Sequence, residues 1–445
     1  MKKILIVSLS VILVVILVSL SFSACKTKHE TSRYVSFNVE MKGDSFKILQ
    51  LTDAHFINSE KGAGGTVSVD YTLRDEWAMT AMTETIRTAD PDLLVVTGDT
   101  TFTLDLVKTF TGTNDNYEAF TKFVDFIDAF NVPWLFCFGN HDEEGELYVD
   151  MGQDVTKTKK ALAAYLKSAS VKNCLFAEGS DEINGVGNYI VNVLNKDGSV
   201  NTSLVLFDSG SYLHYYEEET DKPYFNQHKY EWVHDDQLDW YEAAIRDISS
   251  IEGHTVPSIV FQHIPFPEYQ TALDAYIAAL EANGESWEDT INADWVFGTP
   301  RTLATEVGEV TYYGGIAGEA NHEVCCSYVG DWEYRPGKSF SYDGGHEFDR
   351  ILSLGSTKYV FCGHDHRNTF SLVYKGVWLG YGMSIDYSAN GIIALVSDQD
   401  IYDETVQRGG TLITLDAESG VSVSQVPFTR NLYRETLAAR GNGKK

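Results

Sequence analysis

Five short segments of this chain place oxygen and imidazole donors directly after an apolar run. Asp53 and His55 follow Phe46–Leu51, and Asp99 follows Leu93–Val96. Asn140, His141 and Asp142 follow Val132–Phe138, His263 follows Ser258–Phe261, and His364 and His366 follow Lys358–Cys362. Carboxylate, amide oxygen and imidazole together suit borderline transition metals such as zinc, iron or manganese. Bound cations of that kind act as Lewis acids and lower the pKa of a bound water. Each motif alone has an ordinary explanation: Gly98-Asp99 and Gly139-Asn140 are turn formers, and a lone His263 serves as well in a core. Two histidines one residue apart beside Gly363 are harder to explain as a loop, and turn chemistry does not account for all five segments together.

The runs that carry these donors read as buried strands. Glu76–Thr88, Tyr117–Phe130, Val155–Ser168 and Asp235–Ile248 have apolar residues at helical spacing, and Lys196-Asp197-Gly198 marks a hairpin between Asn188–Leu194 and Ser203–Phe207. Phe370–Tyr374, Val377–Tyr381 and Thr411–Leu415 follow as strands joined by turns. Strands alternating with helices early and with turns late predict one α/β domain with mixed sheets. Loops beyond the carboxyl ends of parallel strands form the ligand crevice of such sheets, so the five donor segments are expected to converge there. On an ideal strand Asp53 and His55 would share one face. The stretch Phe266–Arg350, rich in Gly, Tyr, Trp and acids, is expected to be an insertion with helix only around Ala272–Asn283. Its Trp295, Tyr312, Tyr313 and Trp332 would stack on a substrate or merely pack.

The 445 residues carry a formal charge of −30, which argues against non-specific nucleic-acid binding; no specific nucleic-acid partner is predicted either. An acidic chain can accept an anionic substrate only where local positive charge, such as metal ions, offsets its own. Lys2 and Lys3 precede the apolar run Ile4–Ala24, the order of a secretory signal. Phe22-Ser23-Ala24-Cys25 resembles a bacterial lipobox, with Phe22 in place of the usual aliphatic residue. Residues 1–25 are therefore expected to be a signal peptide with a lipid anchor at Cys25; an uncleaved membrane helix is the alternative. Both place the remainder outside the cytoplasm, on the outer face of the bacterial cytoplasmic membrane. Residues 26–44 read as a tether and approach to the first strand, and 45–436 as the domain, with the insertion at about 266–350. After Cys25, five cysteines without regular spacing do not make a disulfide framework.

Asp-x-His, Gly-Asp, Gly-Asn-His-Asp, a strand-terminal His and Gly-His-x-His, in that order, resemble the signature of calcineurin-like metallophosphoesterases, from Phe46 to about Tyr381. The resemblance implies a four-layer α/β/β/α sandwich of two mixed β-sheets flanked by helices, with two divalent metal ions (manganese, zinc or iron) at the sheet's edge. It implies that Asp53, His55 and His366 hold the first metal, that Asn140, His263 and His364 hold the second, and that Asp99 bridges them. His141 would face the substrate phosphate, with Asp142 orienting it. The implied activity is hydrolysis of a small-molecule phosphate mono- or diester by hydroxide activated between the metals. Purple acid phosphatases place an iron-binding tyrosine three residues after the bridging aspartate; here that residue is Phe102, so the chain resembles the related branch without it. The competing expectation is a non-catalytic, surface-anchored binding lipoprotein on a degenerate scaffold of the same family.

Overall fold

The structure, a computed structural model, describes residues 31–58, 73–102, 112–113, 115–142, 155–217, 222–287, 297–318, 323–327, 346–389 and 408–428. The expected leader and the residues Trp295 and Trp332 lie outside these. In chain order the first elements are β1 (Val35–Glu40), β2 (Ser45–Leu51), α1 (Arg74–Ala89), β3 (Leu93–Thr97), α2 (Asn116–Asp128), β4 (Trp134–Cys137) and α3 (Val155–Leu166). There follow β5 (Tyr189–Leu194), β6 (Val200–Leu206), β7 (Tyr212–Glu217), β8 (Lys222–Tyr230), α4 (Asp235–Glu252), β9 (Ser258–Phe261) and α5 (Glu268–Ala282). The last are β10 (Phe297–Thr305), β11 (Gly308–Gly314), α6 (His346–Leu354), β12 (Thr357–Cys362), β13 (Ser371–Tyr374), β14 (Val377–Tyr381), β15 (Gly409–Asp416) and β16 (Val421–Pro427).

A nine-stranded sheet runs β1-β5-β6-β9-β12-β14-β13-β11-β10 and a five-stranded sheet runs β16-β15-β2-β3-β4. Both are mixed: β6, β9, β12 and β14 are mutually parallel, as are β2, β3 and β4, while the strands towards β10 and β16 pair antiparallel. Side-chain alternation along the nine-stranded sheet separates two cores. Val191, Leu204, Leu206, Ile259, Phe261 and Phe361 join the residues of the five-stranded sheet and of α1–α3 in one core. Their neighbours Ile190, Val205, Val260 and Val360 join α4, α5 and α6 in the other. Helices, sheet, sheet and helices thus form the expected four-layer α/β/β/α sandwich.

Several elements differ from expectation. Val35–Glu40, assigned to the tether and its approach, is an edge strand parallel to β5. The expected insertion holds the expected helix, as α5, but adds the start of α6 and the hairpin β10–β11, which extends the main sheet through β13. Tyr312 is buried and stacked on Tyr276, and Tyr313 tilts against Trp378 at 4.3 Å, so both pack within the fold. The hairpin β7–β8 and strand β16 also emerge only from the structure. Cys137, Cys174, Cys325, Cys326 and Cys362 are free thiols, with Cys137 and Cys362 buried. No described helix is long and apolar enough to cross a membrane.

Candidate metal centre

The strand ends deliver their donors by leaving regular geometry. Strand β2 stops at Leu51, and the chain then places Asp53 and His55 at φ 54° and 47°. Strand alternation therefore does not set their common direction, as the sequence suggests; two left-handed residues do. Asp99 and His364 also lie at positive φ, 48° and 78°. Non-glycine residues in this region each cost about 1–3 kcal/mol and persist only where their surroundings over-determine them.

Here the surroundings are neighbouring loops. The amides of Asp53, His55 and Phe56 donate to the carbonyls of Gly98, Asp99 and Thr100, at 3.1, 3.0 and 2.8 Å. The His364 amide donates to Asp53 Oδ1 and the His141 amide to Asp99 Oδ1. The approach is close enough to require glycine. A Cβ on Gly139 would lie 2.2 Å from Asp99 Oδ1, and one on Gly363 would lie 2.0 Å from Thr52 Oγ1. The sheets are also joined beneath the site, where Gln50 Nε2 donates to Thr97 Oγ1 and to the Cys362 carbonyl.

Every donor in the sequence-predicted set is brought together. One group of ligand atoms comes from Asp53, His55, Asp99 and His366, and a second from Asp99, His263 and His364; within each group the atoms lie within 4.8 Å of one another. Asp99 belongs to both. Asn140 joins the second group, its Oδ1 3.1 Å from His263 Nε2. The set fits divalent cations: Asp53 Oδ2, Asp99 Oδ2, His55 Nε2 and His364 Nε2 are buried and carry no hydrogen bond. Such atoms are costly to leave unsatisfied, and a cation would satisfy them.

Charge is distributed accordingly. Burial alone would depress the His55 imidazole, yet Asp386 and Asp99 raise its pKa well above the ordinary value. Against the same effect of burial, Asp99 raises His263 to about 9. Asp99 itself is held well below the carboxylate range, because the facing imidazoles of His263 and His141 outweigh its burial. His364 is driven down by burial and by His263.

Two placements refine the expected roles. The Asp142 carboxylate makes its hydrogen bonds to groups other than His141. It accepts from Thr100 N at 2.8 Å, Thr100 Oγ1 at 2.6 Å, Thr101 N at 3.2 Å and Gly139 N at 2.9 Å. It ties the Asp99 loop to the Gly139 turn instead. Phe102, where an iron-binding tyrosine would stand, packs its ring against His55 at 5.5 Å and His141 at 5.0 Å.

Asp386 joins the site from outside every sequence motif. Its carboxylate oxygens lie 3.2 Å from His55 Nδ1 and 3.3 Å from His366 Nδ1, leaving the Nε2 atoms of both rings to the centre. It is fully buried and held well below the carboxylate range, the His55 and His366 imidazoles overcoming the effect of burial. Backing of a ligand histidine by a carboxylate fixes its tautomer and raises its basicity. Tyr212 likewise lies outside the motifs; its hydroxyl accepts from Asn140 Nδ2 at 2.8 Å. The only signal for Asp386 in the sequence is an acid shortly after the apolar run Val377–Tyr381, outside every recognised motif.

A four-layer sandwich whose strand ends assemble two donor groups around a shared carboxylate defines a protein of the metallophosphoesterase fold. Residues 46–299 match the family model described as calcineurin-like phosphoesterase, and the chain belongs to that family. It is 25% identical over 369 residues to the protein named probable inactive purple acid phosphatase 28 of Arabidopsis thaliana, covering 78% of this chain and 72% of that one. Probable inactive purple acid phosphatase 14 of the same plant is 24% identical over 401 residues, covering 85% and 80%. Phosphatase DCR2 of Saccharomyces cerevisiae is 28% identical over 232 residues, 50% of this chain and 35% of that protein.

Proposed function

We propose that this protein is a metal-dependent phosphoesterase that hydrolyses a small-molecule phosphate mono- or diester at a two-metal centre. The observation that carries the reading is the pair of donor groups sharing Asp99, with buried ligand atoms that have no hydrogen bond. In this reading Asp53, His55 and His366 would hold one divalent ion, Asn140, His263 and His364 would hold the other, and Asp99 would serve both. When bound, the ions supply Lewis acidity and a hydroxide nucleophile at neutral pH.

The chain's own groups do the remainder. His141 is a half-buried imidazole with its ring centroid 5.4 Å from that of His55. A protonated His141 would offset charge on the phosphoryl oxygens and return a proton to the leaving alcohol. Phe102 shields one side of both rings from water and offers no oxygen to a ferric ion, which favours a divalent pair over a coloured ferric site. Asp142 keeps the two donor loops in register. The positive charge of the ions would let an anionic ester approach a chain of formal charge −30.

A second reading, a non-catalytic binding protein on this scaffold, is favoured by one finding: the names of three relatives carry the words probable inactive. The purified chain separates the readings. With added manganese or zinc it should hydrolyse a chromogenic aryl phosphate or phosphodiester, lose that activity with chelator and regain it on metal return. Asp99→Ala should abolish turnover. Metal binding without hydrolysis of any ester in a broad panel would establish the second reading. For location, we propose export and anchoring through Cys25. A lipid mass on the amino-terminal peptide is the result expected, and an intact leader on a soluble cytoplasmic chain would overturn it.

A further inference from the structure

The proposed second metal position is supported from a part of the chain that carries no motif. Strand β7 begins at Tyr212 and β8 ends at Tyr230, and these two residues face each other in the ladder with rings 5.4 Å apart. Tyr212 is buried, and its phenolic oxygen sits between two side chains, 2.8 Å from Asn140 Nδ2 and 3.4 Å from His141 Nε2. Tyr230 sets its ring edge-on to His364 at 4.2 Å. The adjacent Ser211 Oγ donates to the Asn140 carbonyl at 3.3 Å. One hairpin base therefore touches two of the three residues proposed for that position.

An asparagine side chain offers oxygen at one end and two N–H donors at the other, and only the oxygen can face a cation. The choice must be made by what the nitrogen meets. The phenol of Tyr212 receives Nδ2–H, which leaves Oδ1 turned to His263 Nε2. This works in either charge state of His141: towards the neutral ring the phenol donates its hydrogen, and from the charged ring it accepts a second. In both cases a lone pair remains for the amide.

We propose that Tyr212 is a positioning residue that fixes the ligating orientation of the Asn140 amide, so that the second metal position depends on the β7–β8 hairpin. The effect on metal affinity rests on the function proposed above; the amide orientation does not. Two measurements keep them distinct. In the metal-free chain labelled with 15N-asparagine, one side-chain amide, absent in Asn140→Asp, should exchange slowly with solvent in the wild type and quickly in Tyr212→Phe. Fast exchange in the wild type, or unchanged slow exchange in Y212F, would overturn the proposal. In manganese titrations the wild type should take up two equivalents. Y212F should bind one as before and the other about 10–100-fold more weakly, the usual effect of losing an outer-shell partner. Equal weakening of both equivalents, or of neither, would also overturn it. A wild type that binds none of manganese, zinc and ferrous iron would overturn the two-metal reading, and the amide measurement would still decide the role of Tyr212.

Discussion

Asp386 and Gly139 show how little room the centre leaves at single positions. Asp386 faces two ligand histidines at once, so Asp386→Asn would replace one of the two oxygens beside their Nδ1 atoms with an N–H and remove the negative charge. We expect about 10–100-fold weaker binding of one metal equivalent and a parallel fall in turnover at limiting metal, measured by titration and by assay across metal concentration. An unchanged metal affinity would show that the histidines keep their orientation without it. Gly139→Ala tests close approach, because the added methyl would meet Asp99 Oδ1 and the Asp99 amide at 2.2 and 2.3 Å. Both are fixed by the surrounding ladder, so the loops must separate. The expected result is loss of nearly all metal-dependent activity in a chain that still folds, judged by circular dichroism.

At the scale of elements, strand β4 carries the turn that presents Asn140 and His141, and its own anchor is aromatic. Phe136 is fully buried and meets Phe120, Trp134, Phe138 and Phe176 edge-on, with ring centroids 4.9 to 6.4 Å away. Phe136→Ala should lower stability by about 3–5 kcal/mol, read as a shift of denaturation midpoint at unchanged slope. Elements of this kind are legible in sequence. The central strands are short apolar runs buried on both faces, and each ends abruptly in polar donors, so both the strand and its function lie within a few adjacent residues. Edge elements are harder. Strand β1 alternates half-buried and exposed residues, and its polar neighbours make it read as tether. Strand β16 repeats the problem at the opposite edge of the other sheet. Asp386 and Tyr212 are illegible in the sequence for a related reason. Each acts through another side chain, His55 and His366 or Asn140, and that partnership exists only once distant segments have folded together. Asp142 reverses the case: its place beside His141 suggested a pairing, while folding gave its carboxylate four donors elsewhere.

For the molecule as a whole, one buried carboxylate outside the centre, Glu347, predicts a pH-dependent contribution to stability. Glu347, on α6, is enclosed where α6 packs behind the nine-stranded sheet, and burial pushes it up to about 8, against a partial offset from Gln262. Its Oε2 accepts from Gln262 Nε2 at 3.3 Å, while Oε1 is buried without a hydrogen bond. The native state therefore keeps this proton over a range where the unfolded chain, with an ordinary glutamate near 4.5, has lost it. Between those values the native state binds more protons than the unfolded state, so stability must fall as pH rises. The contribution is level below about 4.5, declines through the window and is level again above about 8. One pKa unit is worth about 1.4 kcal/mol, which makes the whole decline a matter of a few kcal/mol. Glu347→Gln keeps the shape and a hydrogen-bonding end while removing the titration. Denaturation of wild type and variant from pH 4 to pH 9 should give nearly equal stabilities at the acid end. A growing advantage for Glu347→Gln towards the alkaline end is expected, and parallel curves would show that Glu347 ionises in the native state as it does in water.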